Sequence, residues 1–426
     1  MKILVISNLY PPDAIGGYEM GCAQVVDLLR SRGHEVMVLT TAPRTPVASS
    51  DHVLRTLRLT DLWVEYTHFR SAPVTLRLAE TESHVINAFN VHALLAAIKD
   101  FNPDVAYVWA LTGVGGLGLM GCLHHLRIPW VWHLMDDVPA SLCKVGNRVI
   151  PALARQFEEQ LRGTFIACSQ QLVDEIERKG IRLQGEVEIL SNWVAGPIPP
   201  VRSTFYQPGN VLKIVASAAH IGRTYDKGMD LIVKAASILR SKGIENFAVD
   251  IYGKIDDTSC SDLIKSQGVC DFVKLRGPVR QSELIAAYQD YDVFAFPARH
   301  REPCAFAPIE AAPSGCVPIM GQLGGNSEWF VHGVHCLKVP RSAQGFANAW
   351  EMVIEGQIAL EPLGRRLSSL VRNDFHLQQL IPKIERNLLQ AADQTREGAG
   401  TSMEAYRLAL LAERLASVLI QEPYCA

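Results

Sequence analysis

At 426 residues the chain is too long for one ordinary hydrophobic core and predicts two or three domains. Hydrophobic residues make up 48%, charged residues 20%, and the formal net charge is -3, which excludes a disordered or strongly basic chain and leaves nucleic acid out as a partner. Ten cysteines are scattered without a CxxC pair or a metal-ligand spacing, so they read as reduced, mostly buried thiols of a cytosolic protein.

The first residues, MKILVISNLYPPD, hold one lysine and an apolar run too short for a signal peptide, and KILVIS reads as a buried strand. A turn at Pro11-Pro12 and the pair Gly16-Gly17 lead into a helix through EMGCAQVVDLLRSRG, closed by Gly33. HEVMVLTT is the second strand, so the chain opens as a doubly wound α/β sheet. Residues 44–81 lack periodicity and mix Arg44, Arg55, Arg58, Arg70 and Arg77 with Trp63, Tyr66 and Phe69. Two readings stay open there: a basic, aromatic surface making peripheral contact with an anionic lipid or acceptor, or an irregular solvated insertion whose aromatics fill local gaps.

A helix over 83–99 leads into a strand over 104–111. Residues 105–123, VAYVWALTGVGGLGLMGCL, are nineteen uncharged residues, the length of a membrane span. Five glycines divide them instead into a strand and a tight turn entering a Gly-rich helix, a buried βα unit. The same run contains a formal GxGxxG, Gly113 to Gly118, with Asp136 and Asp137 after the next apolar run, PWVWHLM. That outlines an NAD site as an alternative, although the fingerprint normally follows the first strand of its domain and here two strands precede it. GTFIACS is a further strand, Ser169 caps the helix after it, and EVEILSNWV is the last strand of this half. The Pro-rich GPIPPVRSTFYQPGN has neither periodicity, giving a first domain of 1–196 and a linker of 197–210.

The second domain, 211–375, restarts with VLKIVASAAHIGRTYDKGMDLIV: strand, polar loop carrying Arg223 and Lys227, helix. NFAVDIYG and FVKLRG are strands, and RGPV, with Gly277 and Val279, is a turn. DVFAFPA is a short uncharged run of β-formers, read as a buried parallel strand ending near Pro297, which puts Glu302 at its carboxyl end. Pro308 stands where a helix begins, so the backbone amides of 304–308, at Cys304, Ala305, Phe306 and Ala307, face an anion. Glu302 and Glu310 flank that cradle and accept hydrogen bonds from hydroxyls. The strand CVPIM and the turn Gly324-Gly325-Asn326 bring more bare backbone to the same ligand. The last segment has Leu408, Leu411, Leu415 and Leu419 at helical spacing, an amphipathic helix packed on the body, with oligomerisation through it open.

Two glutamates separated by seven residues, followed by an apolar strand and a GG turn, resemble the signature of the retaining glycosyltransferases of family four, whose fold is GT-B. The Gly16-Gly17 pair and RGHEV are similar to the family as well, and the resemblance spans nearly the whole chain. It implies an α/β protein of two Rossmann-like doubly wound domains facing a central cleft. A late helix near 365–390 returns to the first domain, so that about 376–426 completes it. It implies a retaining enzyme that moves a sugar from a nucleoside-diphosphate donor to a glycan, lipid-linked or small-molecule acceptor in cell-surface polysaccharide biosynthesis. Such an enzyme works in the cytoplasm or peripherally at the inner face of the membrane.

Carried over residue by residue, the resemblance implies that Glu302 holds donor-sugar hydroxyls, Glu310 the ribose, and Arg223, Lys227 and the 304–308 amides the diphosphate. The backbone around Gly277 and Val279 reads the base, Gly16 and Gly17 lie on the ligand side, and Asp136 is an acceptor-side contact. The family's His-Asp pair is altered: Met135 stands where the His belongs and His133 comes two residues earlier on the same strand face, so His133 either substitutes or the role is absent. No cofactor or metal is implied, since Asp136-Asp137 lacks the intervening residue of an Asp-x-Asp motif and the basic pair supplies positive charge. A catalytically silent GT-B binding protein and a glycoside hydrolase are the other readings, the second having no use for Lys227.

Overall fold

The structure is a computed structural model and describes residues 1–43, 48, 50–60, 79, 81–145, 148–222, 227–299 and 302–396. Two units divide the chain, Met1–Leu190 with the segment that starts at Ile381, and Ser191–Leu380.

In the first unit the strands are β1 Lys2–Ile6, β2 Glu35–Thr41, β3 Val53–Leu57, β4 Val105–Val108, β5 Trp130–Leu134, a small antiparallel hairpin β6 Lys144–Val145 and β7 Arg148–Val149, then β8 Arg162–Ala167 and β9 Gln184–Ile189. Seven of them form one parallel sheet in the order β3-β2-β1-β4-β5-β8-β9. Ile3, Leu4, Val5 and Ile6 are all fully buried, as a strand covered on both faces requires. The helix Gly17–Ser31 lays Cys22, Val25, Val26 and Leu29 into the core at three- and four-residue spacing.

Several sequence expectations need adjustment here. The helix expected over 83–99 is a π-type turn, Thr81–Val85, and a helix Ala88–Phe101, because the Asn87 side chain caps the helix by accepting from the Asn90 amide. The strand expected over 104–111 pairs only as far as Val108, although Trp109 and Leu111 stay buried. The glycines of the GxGxxG run serve close packing. Gly115 has φ 70°, and a Cβ there would lie 2.2 Å from the Asn87 backbone nitrogen. Of the arginines between 44 and 81, Arg55 donates to the Pro11 carbonyl at 2.5 Å and Arg58 stacks 3.6 Å from the centroid of Phe89, so both are engaged in the body of the unit. Arg44, Trp63, Tyr66, Phe69, Arg70 and Arg77 lie outside the described residues, as do Leu408 to Leu419. No described helix is long and apolar enough to cross a membrane.

The segment from Ile381 buries Ile381, Ile384 and Leu388 completely, and ion pairs to the first unit flank that apolar face. Glu385, in the helix Leu377–Arg396, accepts two bonds from Arg32 at 2.6 and 2.7 Å and faces His34 at 2.9 Å, while Arg386 meets Glu188 at 3.0 Å.

The second unit contains β10 Leu212–Ile221, β11 Phe247–Ile255, β12 Val273–Gly277, β13 Val293–Phe296, β14 Val317–Gly321 and β15 Leu337–Val339. They form a parallel sheet in the order β12-β11-β10-β13-β14-β15. The core gathers Ile214, Ile232, Val249, Ile319, Phe346 and Trp350. Arg202, from the Pro-rich segment, pairs with Asp292 at 2.7 Å, and Phe205 and Tyr206 are buried, so this segment packs on the second unit. In both sheets the strand order reverses beside the first strand, between β1 and β4 and between β10 and β13. In open parallel sheets that is where ligands bind, outside the carboxyl ends.

Candidate active site

At the switch point of the second unit, β10 and β13 run side by side, with Ile214 opposite Val293. The loop after β10 carries Lys227 and the loop after β13 carries Glu302, so the topology brings together two residues far apart in sequence. Lys227 Nζ lies 2.5 Å from Glu302 Oε1. Gly228 makes the approach possible: its φ is 77°, and a Cβ there would stand 2.3 Å from the Pro297 carbonyl oxygen. The Lys227 side chain is 44% exposed and that of Glu302 21%, so the ion pair adds little stability. Its meaning is positional: a cation and a carboxylate stand together at the mouth of the sheet. Arg223 lies outside the described residues.

The chain from Glu302 to Ala305 has no regular structure of its own, and ordering such a segment costs roughly 1–2 kcal/mol per residue of backbone entropy. Neighbouring groups hold it. The Gly325 amide donates to the Glu302 carbonyl at 2.8 Å, and the Asn192 side chain donates to the Cys304 carbonyl. Asn326 both accepts from the Ala305 amide at 2.8 Å and donates to the Ala305 carbonyl at 2.9 Å.

This corrects the sequence expectation of a row of bare amides over 304–308, because the Ala305 amide is already bonded and Pro308 has none. The helix starts at Phe306, two residues before Pro308, and the proline falls at the third position, where the missing N–H still breaks no helical bond. Phe306 packs edge-on against Trp193 with centroids 5.6 Å apart, and Ala307 packs beside Tyr288 and Phe294. Burial pushes the Cys304 thiol up to about 12, so it is an inert neutral group.

Glu310, one turn into the helix, sits in a different environment. It is buried, its Oε1 accepts from Gln281 Nε2 at 2.5 Å, and burial raises its carboxyl to about 7 against the partial relief of that bond. Gln281 opens the helix Gln281–Ala287, with three residues between it and the end of β12 at Gly277, whose φ is 76°; Val279 in that link is 41% exposed. A small recess at the carboxyl ends of β13 and β14 is lined by Glu302, Phe296, Ala298, Gly321, Gly324 and Arg341. Arg341 ties its walls together, donating to the Arg299 carbonyl at 3.2 Å and to the Leu323 carbonyl.

In the first unit the carboxyl ends are filled differently. His133 is fully buried, with Nδ1 2.7 Å from the Tyr107 hydroxyl and its ring 4.6 Å from Trp109; Tyr18 donates to its carbonyl at 2.6 Å. Burial lowers the His133 imidazole to about 3, so it is neutral, and no part of it meets solvent. Met135 is buried too, while Asp136 is exposed and accepts from the Asp137 amide at 2.8 Å. Burial alone would raise Asp137, but the hydrogen bond from Lys179 and the Lys144 ammonium at 3.5 Å outweigh it and hold the carboxyl low. Gly16 caps the helix that begins at Gly17, and its amide is taken by Glu19 at 2.9 Å, not left bare for a ligand.

Sequence reasoning missed Gln281, Asn192 and Arg341 and the pinning role of Asn326. Asn326 was visible as part of a glycine turn, but nothing in the spacing marked which backbone groups it would bind.

The family comparisons agree with this architecture. Residues 15–195 match the model described as Glycosyltransferase Family 4, and residues 212–369 match Glycosyl transferases group 1. Similar proteins include glycogen synthase of Mycobacterium tuberculosis, 23% identical over 89% of this chain and 92% of that one. A GDP-mannose-dependent alpha-mannosyltransferase of Mycolicibacterium smegmatis is 26% identical over 76% and 80%. In fold the chain is like sucrose-phosphate synthase from Thermosynechococcus elongatus, with TM-score 0.66 and 17% identity over 91% and 98% of the two chains. It is also like Anabaena HepE in complex with UDP and glucose, with TM-score 0.63 and 16% identity over 92% and 100%. With both halves matched and two parallel Rossmann-like sheets, the chain belongs to the glycosyltransferases of family four and has the GT-B fold.

Proposed function

We propose that this glycosyltransferase is a retaining enzyme that takes a sugar from a nucleoside-diphosphate donor and delivers it to a glycan, lipid-linked or small-molecule acceptor in cell-surface polysaccharide biosynthesis, working in the cytoplasm or peripherally at the membrane. The observation that carries the reading is the meeting of Lys227 and Glu302 at the switch point of the second sheet. Breaking the bond between sugar and phosphate leaves negative charge on the departing diphosphate, and Lys227 is the described cation placed to stabilise it. Glu302 accepts hydroxyls of the donor sugar, and Glu310, held by Gln281, accepts those of the ribose. In a retaining transfer the acceptor attacks the face the diphosphate leaves, and a leaving phosphate oxygen takes the acceptor's proton. The donor class is supported by relatives, since HepE was solved with UDP-glucose and the mycobacterial mannosyltransferase is named for GDP-mannose. Asp136, exposed at the end of β5, is assigned to the acceptor side. Lys227 fills the electrostatic role a divalent cation plays elsewhere, so the transfer runs without metal or other cofactor.

Thermal melts with UDP-, GDP-, ADP- and dTDP-sugars test this, with NAD and free sugars as controls. One nucleoside-diphosphate sugar raising the Tm is the expected result, and a shift with NAD alone would overturn the reading.

A further inference from the structure

Glu302 is carried on a segment whose backbone groups are satisfied by side chains from elsewhere in the second unit. Asn192 and Asn326 are each 2% exposed, and each spends its amide on this segment, Asn192 on the Cys304 carbonyl and Asn326 on the Ala305 carbonyl. Of these two, Asn326 binds both backbone groups of one residue, accepting from the Ala305 amide as it donates to the Ala305 carbonyl. A buried primary amide is costly unless its bonds are made, so its presence in place of an apolar residue calls for a use. Its neighbour Gly325 donates to the Glu302 carbonyl, which makes the two residues one short pairing edge for Glu302 to Ala305.

We propose that Asn326 is a positioning residue for the transfer reaction, fixing the backbone that aims the Glu302 carboxylate toward Lys227 and the donor sugar. This rests on the donor reading above. An apolar side chain of similar volume would fill the space yet leave the Ala305 amide and carbonyl unpaired, freeing the Glu302 segment to wander. Errors of an ångström at a reacting group cost rate far more than they cost binding. Asn326 therefore acts through Glu302, and that predicts non-additivity.

The test is a double-mutant cycle on wild type, Asn326→Leu, Glu302→Gln and the double variant, with UDP-glucose and GDP-mannose as donors and release of UDP or GDP as the readout. Thermal melts show that each variant is folded, and Asn326→Asp, which keeps the acceptor for the Ala305 amide, serves as the milder change. Asn326→Leu should lower kcat about tenfold or more, leave the Kd for the bare diphosphate within about twofold, and add almost nothing in the Glu302→Gln background. Asn326→Asp should fall between wild type and the leucine variant. Wild-type turnover in folded Asn326→Leu, or full additivity with Glu302→Gln, overturns the inference and leaves the donor reading standing. Wild-type protein that releases neither UDP nor GDP overturns the donor reading for these donors and the inference with it.

Discussion

The two units share a strand order around their first strands, yet the ends of their sheets hold opposite chemistry. In the first unit the end of β5 is closed by a neutral cluster, with His133 buried against Tyr107 and Trp109, and the Gly16 amide is already spent on Glu19. In the second, Lys227 and Glu302 stand partly exposed on neighbouring loops, and Glu310 waits behind them with a carboxyl that burial has raised. The lesson is that the sheet supplies the place and the loops supply the chemistry. Strand order alone would mark both ends equally.

The comparison breaks first at Lys227. Lys227→Ala should cost roughly a hundred- to a thousandfold in turnover, the loss typical of removing one transition-state charge stabiliser, with the melt almost unchanged because the side chain is exposed. Single-turnover transfer beside a thermal scan decides it, and a folded variant at wild-type rate removes Lys227 from the mechanism.

His133→Ala should act on the fold and not on proton transfer. Losing a fully buried ring and its bond to Tyr107 should cost about 2–4 kcal/mol in denaturant unfolding. A variant of undiminished stability whose pH–rate profile changed shape would restore His133 to the reaction.

Glu310 sharpens the comparison through pH. Its carboxyl titrates near 7 in the folded chain, against an ordinary value near 4.5, so between those values the folded state binds more protons than the unfolded state and stability falls as pH rises. Below the lower value and above about 7 the contribution is flat. Glu310→Gln removes the titration, so relative to wild type it should gain about 1–3 kcal/mol on going from pH 4 to pH 8. A stability difference independent of pH would show that folding leaves the Glu310 carboxyl at its ordinary value. The smallest effect expected is none: dialysis against EDTA should leave transfer intact, and activity lost and then restored by Mn²⁺ would contradict the role given to Lys227.

Much of the fold was legible because parallel strands buried on both faces leave unbroken apolar runs, as in KILVIS and DVFAF, and because Gly33 and Ser169 mark helix ends. The glutamates were legible by spacing, and their contrast was not. A sequence shows two carboxylates with seven residues between them, but only the folded unit shows one facing a lysine and the other enclosed. The pinning asparagines were hidden for a similar reason, since the partner of a buried amide is fixed by tertiary approach and not by local pattern. At His133 the alternation put 133 and 135 on one strand face, but β5 ends at Leu134, and the ring is kept neutral by burial against Tyr107 of β4 and Trp109 just beyond it, neighbours no local reading supplies.

The central claim is that the second unit holds a nucleoside-diphosphate sugar between two glutamates with separate duties. Calorimetry with the bare UDP or GDP, beside transfer kinetics, tests it on Glu302→Gln and Glu310→Gln. Both replacements keep size and hydrogen-bonding capacity, so a loss reports the carboxylate. Glu310→Gln should weaken diphosphate binding about tenfold, because the ribose contact is uniform through the reaction, whereas Glu302→Gln should lower turnover and leave that affinity within about twofold. Equal loss of diphosphate affinity in the two variants would contradict the account.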